Sequence, residues 1–326
     1  MDIPSIGSPV LWAGFILFVL AMLALDLGVF HRHAHVVRFK EAATWSAIWV
    51  GLALLFGAGV WWKAGAGPGM DFLTGYLIEK TLSVDNIFVF VIIFSSLSIP
   101  AVHQHRVLFW GILSALVLRA VMIFAGAAAL ERFHWLIYVF GAFLVFTGLK
   151  LFWMWRKGEE SHPEQSLAMR LARRAIPATP KLDGHRFFTR VEGRWLATPL
   201  FMALLLVELT DVVFALDSIP AIFAITRDPF IVFTSNIFAI LGLRSLFFLL
   251  AGMVERFHYL KVGLSAVLVF VGLKMALVDV FKVPSALSLA TIALLLGGSI
   301  VASLLRARHL ERHAAGGSAA TSPGVS

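Results

Sequence analysis

The chain has 326 residues, 60% of them hydrophobic and only 14% charged, with no cysteine and a net charge of +8. Its mean hydropathy is +0.88. A chain so apolar lies outside the usual make-up of a soluble domain and is expected to be an all-α polytopic membrane protein in one transmembrane domain. The absence of cysteine excludes disulfides, thiolate metal sites and cysteine nucleophiles, so metal chemistry would have to use oxygen or imidazole.

In chain order, apolar runs long enough to cross a bilayer fall near 10–30, 44–62, 72–97, 107–130, 134–155, 197–226, 230–253, 259–280 and 285–305, nine spans in all. They are apolar throughout rather than alternating, which favours helices over outer-membrane strands. The first run is too long for the core of a signal sequence, and MDIPSIGSPV before it carries no Lys or Arg, so it is expected to stay in the mature protein. Asp26 near the end of this run is read as an exit ligand or a helix-end pairing residue. The following HRHAH, with His31, His33 and His35, is read as an interfacial patch or a metal-loading site. The other span-end histidines are His103, His105, His134 and His258.

The positive charge sits in loops. The loop 156–196 holds nine Lys or Arg, and HRHAHVVRFK, HQHR and RARHLERH are basic as well. The intervening loops carry single bases, Lys63, Arg132, Arg227 and Lys282. This asymmetry predicts an outside N-terminus and a cytoplasmic C-terminus. It reads as a topology determinant against anionic lipid rather than a nucleic-acid surface, so no nucleic-acid partner is expected. The end of the 306–326 tail is expected to be disordered.

An internal repeat organises the rest. Leu116 to Lys150 matches Leu241 to Lys274 with one gap, sharing Leu-Arg (Arg119, Arg244), ERFH (Glu131, Glu255) and a closing GLK. Upstream, EKTLSVDNI matches DVVFALDSI, pairing Glu79 with Asp211, Asp85 with Asp217 and Asn86 with Ser218. Two three-span units result, 72–155 and 197–280, flanked by two peripheral helices in 10–62 and a last helix at 285–305. Three is odd, so the units enter the membrane in opposite senses. Inverted repeats around a midplane site are a recurring transporter design.

Charged groups at bilayer depth are costly and usually face a partner or a cavity. Glu79, Asp85, Glu208, Asp211 and Asp217 oppose only Arg119 and Arg244. Either the carboxylates pair with the arginines and fix helix register, or protonation or a bound cation makes up the deficit. Residues six apart, such as Asp211 and Asp217 or Glu79 and Asp85, lie about 120° apart on a regular helix. Pro220 allows a kink that would free carbonyls beside Asp217, whereas the first repeat has no proline to break its helix near Ser83 to Asn86. Carboxylates with Asn86 and Ser218 make an all-oxygen site suited to Mg²⁺, Ca²⁺ or Mn²⁺. The carboxylate surplus suits exchange with protons, with Arg119 and Arg244 balancing charge in the empty state. No nucleophile with a paired base, nucleotide loop or cofactor motif is seen, so no enzyme activity and no cofactor are expected. A scaffold acting through protein partners on the basic loop is the alternative.

ALDLGVFHR, EKTLSVDNIFVF, VELTDVVFALDSIPAIFAIT and the two ERFH segments resemble the TerC/Alx family of bacterial integral membrane proteins, within the LysE-type transporter superfamily. The resemblance spans nearly the whole chain apart from the basic loop and tail. It implies an inner-membrane manganese exporter with a link to tellurium resistance, and for some relatives to alkaline pH and metallation of secreted enzymes. It also implies that Glu79, Asp85, Asn86, Glu208, Asp211, Asp217 and Ser218 are the acidic-motif residues that contact the metal.

Overall fold

In the computed structural model, residues 5–30, 39–133, 135–158, 176–250, 258–281 and 283–319 are described, excluding the side chains of 26–30, 85, 88 and 308–319. His31, His33, His35, His134, Glu255 and residues 159–175 of the basic loop fall outside them, as do the side chains of Asp26 and Asp85.

The chain is an all-α polytopic membrane protein. Its helices are α1 (Pro9–Phe30), α2 (Phe39–Ala64), α3 (Ala66–Ser96), α4 (Ala101–Arg132), α5 (Leu136–Lys157), α6 (Pro199–Phe223), α7 (Pro229–Leu241), α8 (Leu243–Leu250), α9 (Leu260–Ala276) and α10 (Ser285–Ala319). α2, α4, α5, α6 and Ser285–Ala307 of α10 are long and apolar enough to cross a membrane, and α7 with α8, bent by 41°, makes a sixth if taken as one broken span. The expected spans that fall short of this test are in α1, α3 and α9. α3 is 31 residues long but carries Asp71, Glu79, Lys80 and Asp85, whereas α9 has only 17 residues. α10 continues to Ala319, past the expected end at 305.

The basic loop contains structure that composition did not reveal. Strands β1 (Phe188–Val191) and β2 (Arg194–Ala197) pair antiparallel, with Val191 opposite Arg194. Glu192 and Gly193 between them both take positive φ, as a two-residue hairpin turn requires. β2 leads directly into α6, whose first residue is Pro199. Proline there costs nothing, because the first helical N–H has no partner in any case. α7 starts in the same way at Pro229, and the Asp228 side chain accepts from the N–H of Phe230 at 2.8 Å.

The expected helix break lies elsewhere. α3 runs unbroken through Ser83 to Asn86, and α6 runs unbroken through Pro220. Pro220 sits in the last turn of α6, where the missing N–H removes one hydrogen bond and little helix remains to be kinked. The break instead separates α7 from α8 at Gly242. A Cβ on Gly242 would lie 2.8 Å from Lys80 Nζ and 3.1 Å from Trp49. Lys80 also reaches the Ala239 carbonyl at 3.4 Å, a group near the end of α7 that has no partner within the helix.

α3 and α6 pack antiparallel. Early α3 residues Ile78 and Leu82 share a core cluster with late α6 residues Ala215 and Ile219, and late α3 residues Ile87 and Phe90 share another with Leu206 and Val207. α3 also packs on α7 and α4 on α6, while the most extensive contact joins α5 to α9. That contact has almost no space between backbones. A Cβ on Gly272 would lie 2.6 Å from the Gly141 carbonyl, and one on Gly148 would lie 2.8 Å from the Ser265 carbonyl. Ser265 Oγ donates to the Gly148 carbonyl at 2.6 Å. Small residues permit this approach, and close packing holds helices together where both faces see lipid.

Candidate functional site

Glu79 on α3, Asp211 on α6 and Arg119 on α4 meet in the interior, with 1%, 3% and 1% of their surface exposed. Arg119 Nη2 donates to Asp211 Oδ1 at 2.6 Å and Nε to Oδ2 at 3.1 Å, the two-pronged arrangement a guanidinium is shaped for. Its Nη1 donates to Glu79 Oε1 and reaches Asn236 Oδ1 on α7 at 3.3 Å. Asn236 Nδ2 closes the ring by donating to Glu79 Oε2 at 3.1 Å. Two carboxylates share one arginine, so when all three are ionised the group keeps a net negative charge.

The antiparallel packing sets what lies around this group. Gly75 on α3 approaches Ile222 on α6. Counting residues from there in opposite directions brings Asn86 level with Asp211 and Ser218 level with Glu79. Asn86 and Ser218 each follow their carboxylate by seven residues, on the same helix face about 10 Å along. Both are buried to 1% exposure, and Asn86 Oδ1 and Ser218 Oγ have no hydrogen-bond partner among the described residues. Buried oxygens without partners are rare and call for an occupant such as water or an ion. A small void lies beside Asp211, walled by Phe90, Leu108, Gly111 and Val207.

Glu208 and Asp217 do not join this ring. Glu208 is half-buried one turn before Asp211 and accepts from Ser114 Oγ on α4 at 2.5 Å. Asp217 turns towards α5, where Thr147 hydrogen-bonds it and Lys150 lies within electrostatic range. Its position six residues after Asp211 turns it off the shared face, as the helical repeat requires. No group of three or more His, Asp or Glu able to hold a metal is formed among the described residues. Arg244 is buried on α8, past the Gly242 break.

Asn236 is not legible as a site residue from the repeated charges, because it carries none. Carrying the Arg119 to Arg244 register back along the helices places Gly111 opposite Asn236. A Cβ on Gly111 would lie 3.6 Å from Glu208 Oε1. The sequence cue to Asn236 was an amide within the largely apolar run FTSNIFAIL.

The described family of integral membrane proteins called TerC matches residues 64–312 of the chain. An uncharacterized membrane protein of Myxococcus xanthus is 73% identical over 306 residues, covering 94% of this chain and 95% of its own. A protein of Escherichia coli strain K12 named for membrane-bound redox modulation, Alx, is 50% identical over 297 residues, covering 88% and 92%. A membrane protein of Rickettsia bellii is 43% identical over 302 residues, covering 92% and 99%. No solved structure matches the chain significantly.

Proposed function

The chain belongs to the TerC family of integral membrane proteins, and on that footing we propose that it transports a hard divalent cation, Mn²⁺ foremost, out of the cytoplasm across the bacterial inner membrane. The observation that carries this reading is one buried arginine shared by two carboxylates, Glu79 and Asp211, from different helices. The surplus negative charge and the partnerless oxygens of Asn86 and Ser218 favour an ion with oxygen preference. Manganese and the outward direction rest on the family resemblance, and Ca²⁺ or Mg²⁺ would suit the same donors.

In this reading Arg119 acts as a built-in substitute cation. A dication bound between Glu79 and Asp211 displaces the guanidinium, and its departure lets Arg119 return. Net repulsion of Arg119 then helps release the ion, and the half-buried carboxylates Glu208 and Asp217 take up protons moving inward. We further propose nine spans with the N-terminus outside, and two inverted units that rock about this site. The reciprocal contacts support the symmetry: α3 with α7 matches α4 with α6, and Gly141 against Gly272 matches Ser265 against Gly148. The broken span at Gly242 is the kind of discontinuity that such transporters place beside their sites.

The Escherichia coli relative's name points to redox balance. This chain has no cysteine, so thiol exchange by its own residues is excluded, and a redox role would run through an ion that it moves. Reconstituted wild-type protein should carry Mn²⁺ across proteoliposomes, with a rate that responds to a pH gradient. Asp211→Asn should abolish the flux and raise cytoplasmic manganese in cells. Equal flux and equal cellular manganese in wild type and Asp211→Asn would overturn the transport reading and favour a scaffold, which deletion of 170–190 in the basic loop would then disable.

A further inference from the structure

A pair of histidines lies in contact away from the buried ring. His103, in the first turn of α4, faces His185 in the segment leading to β1, with the two Nδ1 atoms 3.4 Å apart and the ring centroids separated by 5.2 Å. At 3.4 Å a hydrogen bond between the two ring nitrogens is a long one. The spacing fits another geometry better. A metal held about 2.1 Å from each Nδ1 subtends about 108° at a separation of 3.4 Å, close to tetrahedral. Placed on both lone-pair axes, that metal sets the ring centroids about 5.3 Å apart, against the 5.2 Å observed.

We propose that His103 and His185 form a two-imidazole docking site for borderline divalent transition metals such as Zn²⁺, Co²⁺ or Ni²⁺. Imidazole selects these ions over the hard cations suited to the buried carboxylates. Two protein ligands leave the remaining positions to water, so the site is open and exchangeable rather than structural. Arg106, one turn further along α4, has its guanidinium over the Phe187 ring at 5.2 Å. Its positive charge near His103 keeps the affinity modest. The site joins the start of α4, which carries Arg119, to the hairpin segment that runs into α6, which carries Asp211. An ion bound there ties the start of α4 to the segment ahead of α6, two of the four helices that supply the buried ring.

The test uses the full chain, purified in detergent with a tag free of histidine, in a background with His31, His33 and His35 replaced by alanine so that the HRHAH run does not compete. Zn²⁺ affinity is read by competition with a chromophoric chelator, and Co²⁺ binding by its visible absorption. Retention of the wild-type gel-filtration profile is checked for each variant. His103→Ala and His185→Ala are each expected to weaken Zn²⁺ binding at least about tenfold and to lose the Co²⁺ bands. The double variant should be no worse than either single one, because one site is lost only once. Asp211→Asn and His258→Ala should leave this binding unchanged. Unaltered Zn²⁺ affinity in both single variants would overturn the proposal, as would loss of the same binding in Asp211→Asn, which would assign it to the buried ring.

Discussion

Replacing Arg119 by methionine tests the idea of an internal substitute cation. The substitution keeps the volume roughly constant but removes the donors to Glu79, both oxygens of Asp211 and Asn236. Two buried carboxylates then face each other without a counter-charge. Breaking a buried ion pair from one side costs about 3–5 kcal/mol. At roughly 2 °C per kcal/mol for a chain of this size, the midpoint of thermal unfolding in detergent should fall by about 6–10 °C. Mn²⁺ should then stabilise Arg119→Met more than wild type, because in the variant the ion fills a vacant charge and in wild type it must first displace the guanidinium. Binding at one hundred times Kd contributes about 2.7 kcal/mol, so roughly half of the loss or more should return. The triple variant Arg119→Met, Glu79→Gln, Asp211→Asn should regain stability without Mn²⁺, since a neutral polar interior carries no unpaired charge, yet it should move no ion. Scanning fluorimetry across a Mn²⁺ titration provides the readout. An Mn²⁺-induced shift no larger in Arg119→Met than in wild type would refute the competition between arginine and ion, and ion movement by the triple variant would refute the site itself.

Gly272→Ala should separate α5 from α9, because its Cβ would meet the backbone of Gly141 and Val145. A loss of about 1–3 kcal/mol is expected from such overpacking, measurable by the same thermal assay, and an unchanged midpoint would show that the two helices have room to spare. Asp217→Asn should lower the unfolding temperature much less than Asp211→Asn, since Asp217 is only half-buried and is held by Thr147 rather than by the buried guanidinium; equal losses would contradict the different surroundings of the two residues. Asp228 caps α7 and also accepts from Ser5 Oγ and the Ile6 N–H, each at 2.7 Å. Asp228→Ala should cost about 1–2 kcal/mol and expose the segment around Ser5 to proteases, and wild-type protection in limited proteolysis would argue against that anchor.

Composition pointed to a membrane protein, because burying so much apolar surface in water without lipid would require a far larger core, and the unbroken apolar runs pointed to helices. The repeat alignment also singled out both carboxylates of the ring, Glu79 and Asp211, and Arg119, which it pairs with Arg244. What the alignment treated as one cluster, the helical repeat divided: seven residues on from each carboxylate, Asn86 and Ser218 keep its face, while six residues on, Asp217 turns towards α5. Only the tertiary structure decided that Arg119 holds both carboxylates at once and that Asn236 completes the ring. Those partners come from α4 and α7, and no periodicity within α3 or α6 encodes them. The same holds for the helix break. Pro220 marked a local weakness, but the chain bends at Gly242, where Lys80 and Trp49 leave no space for a side chain. Sequence thus determined which groups are chemically costly to place in a membrane, and packing between distant helices determined which partners offset that cost.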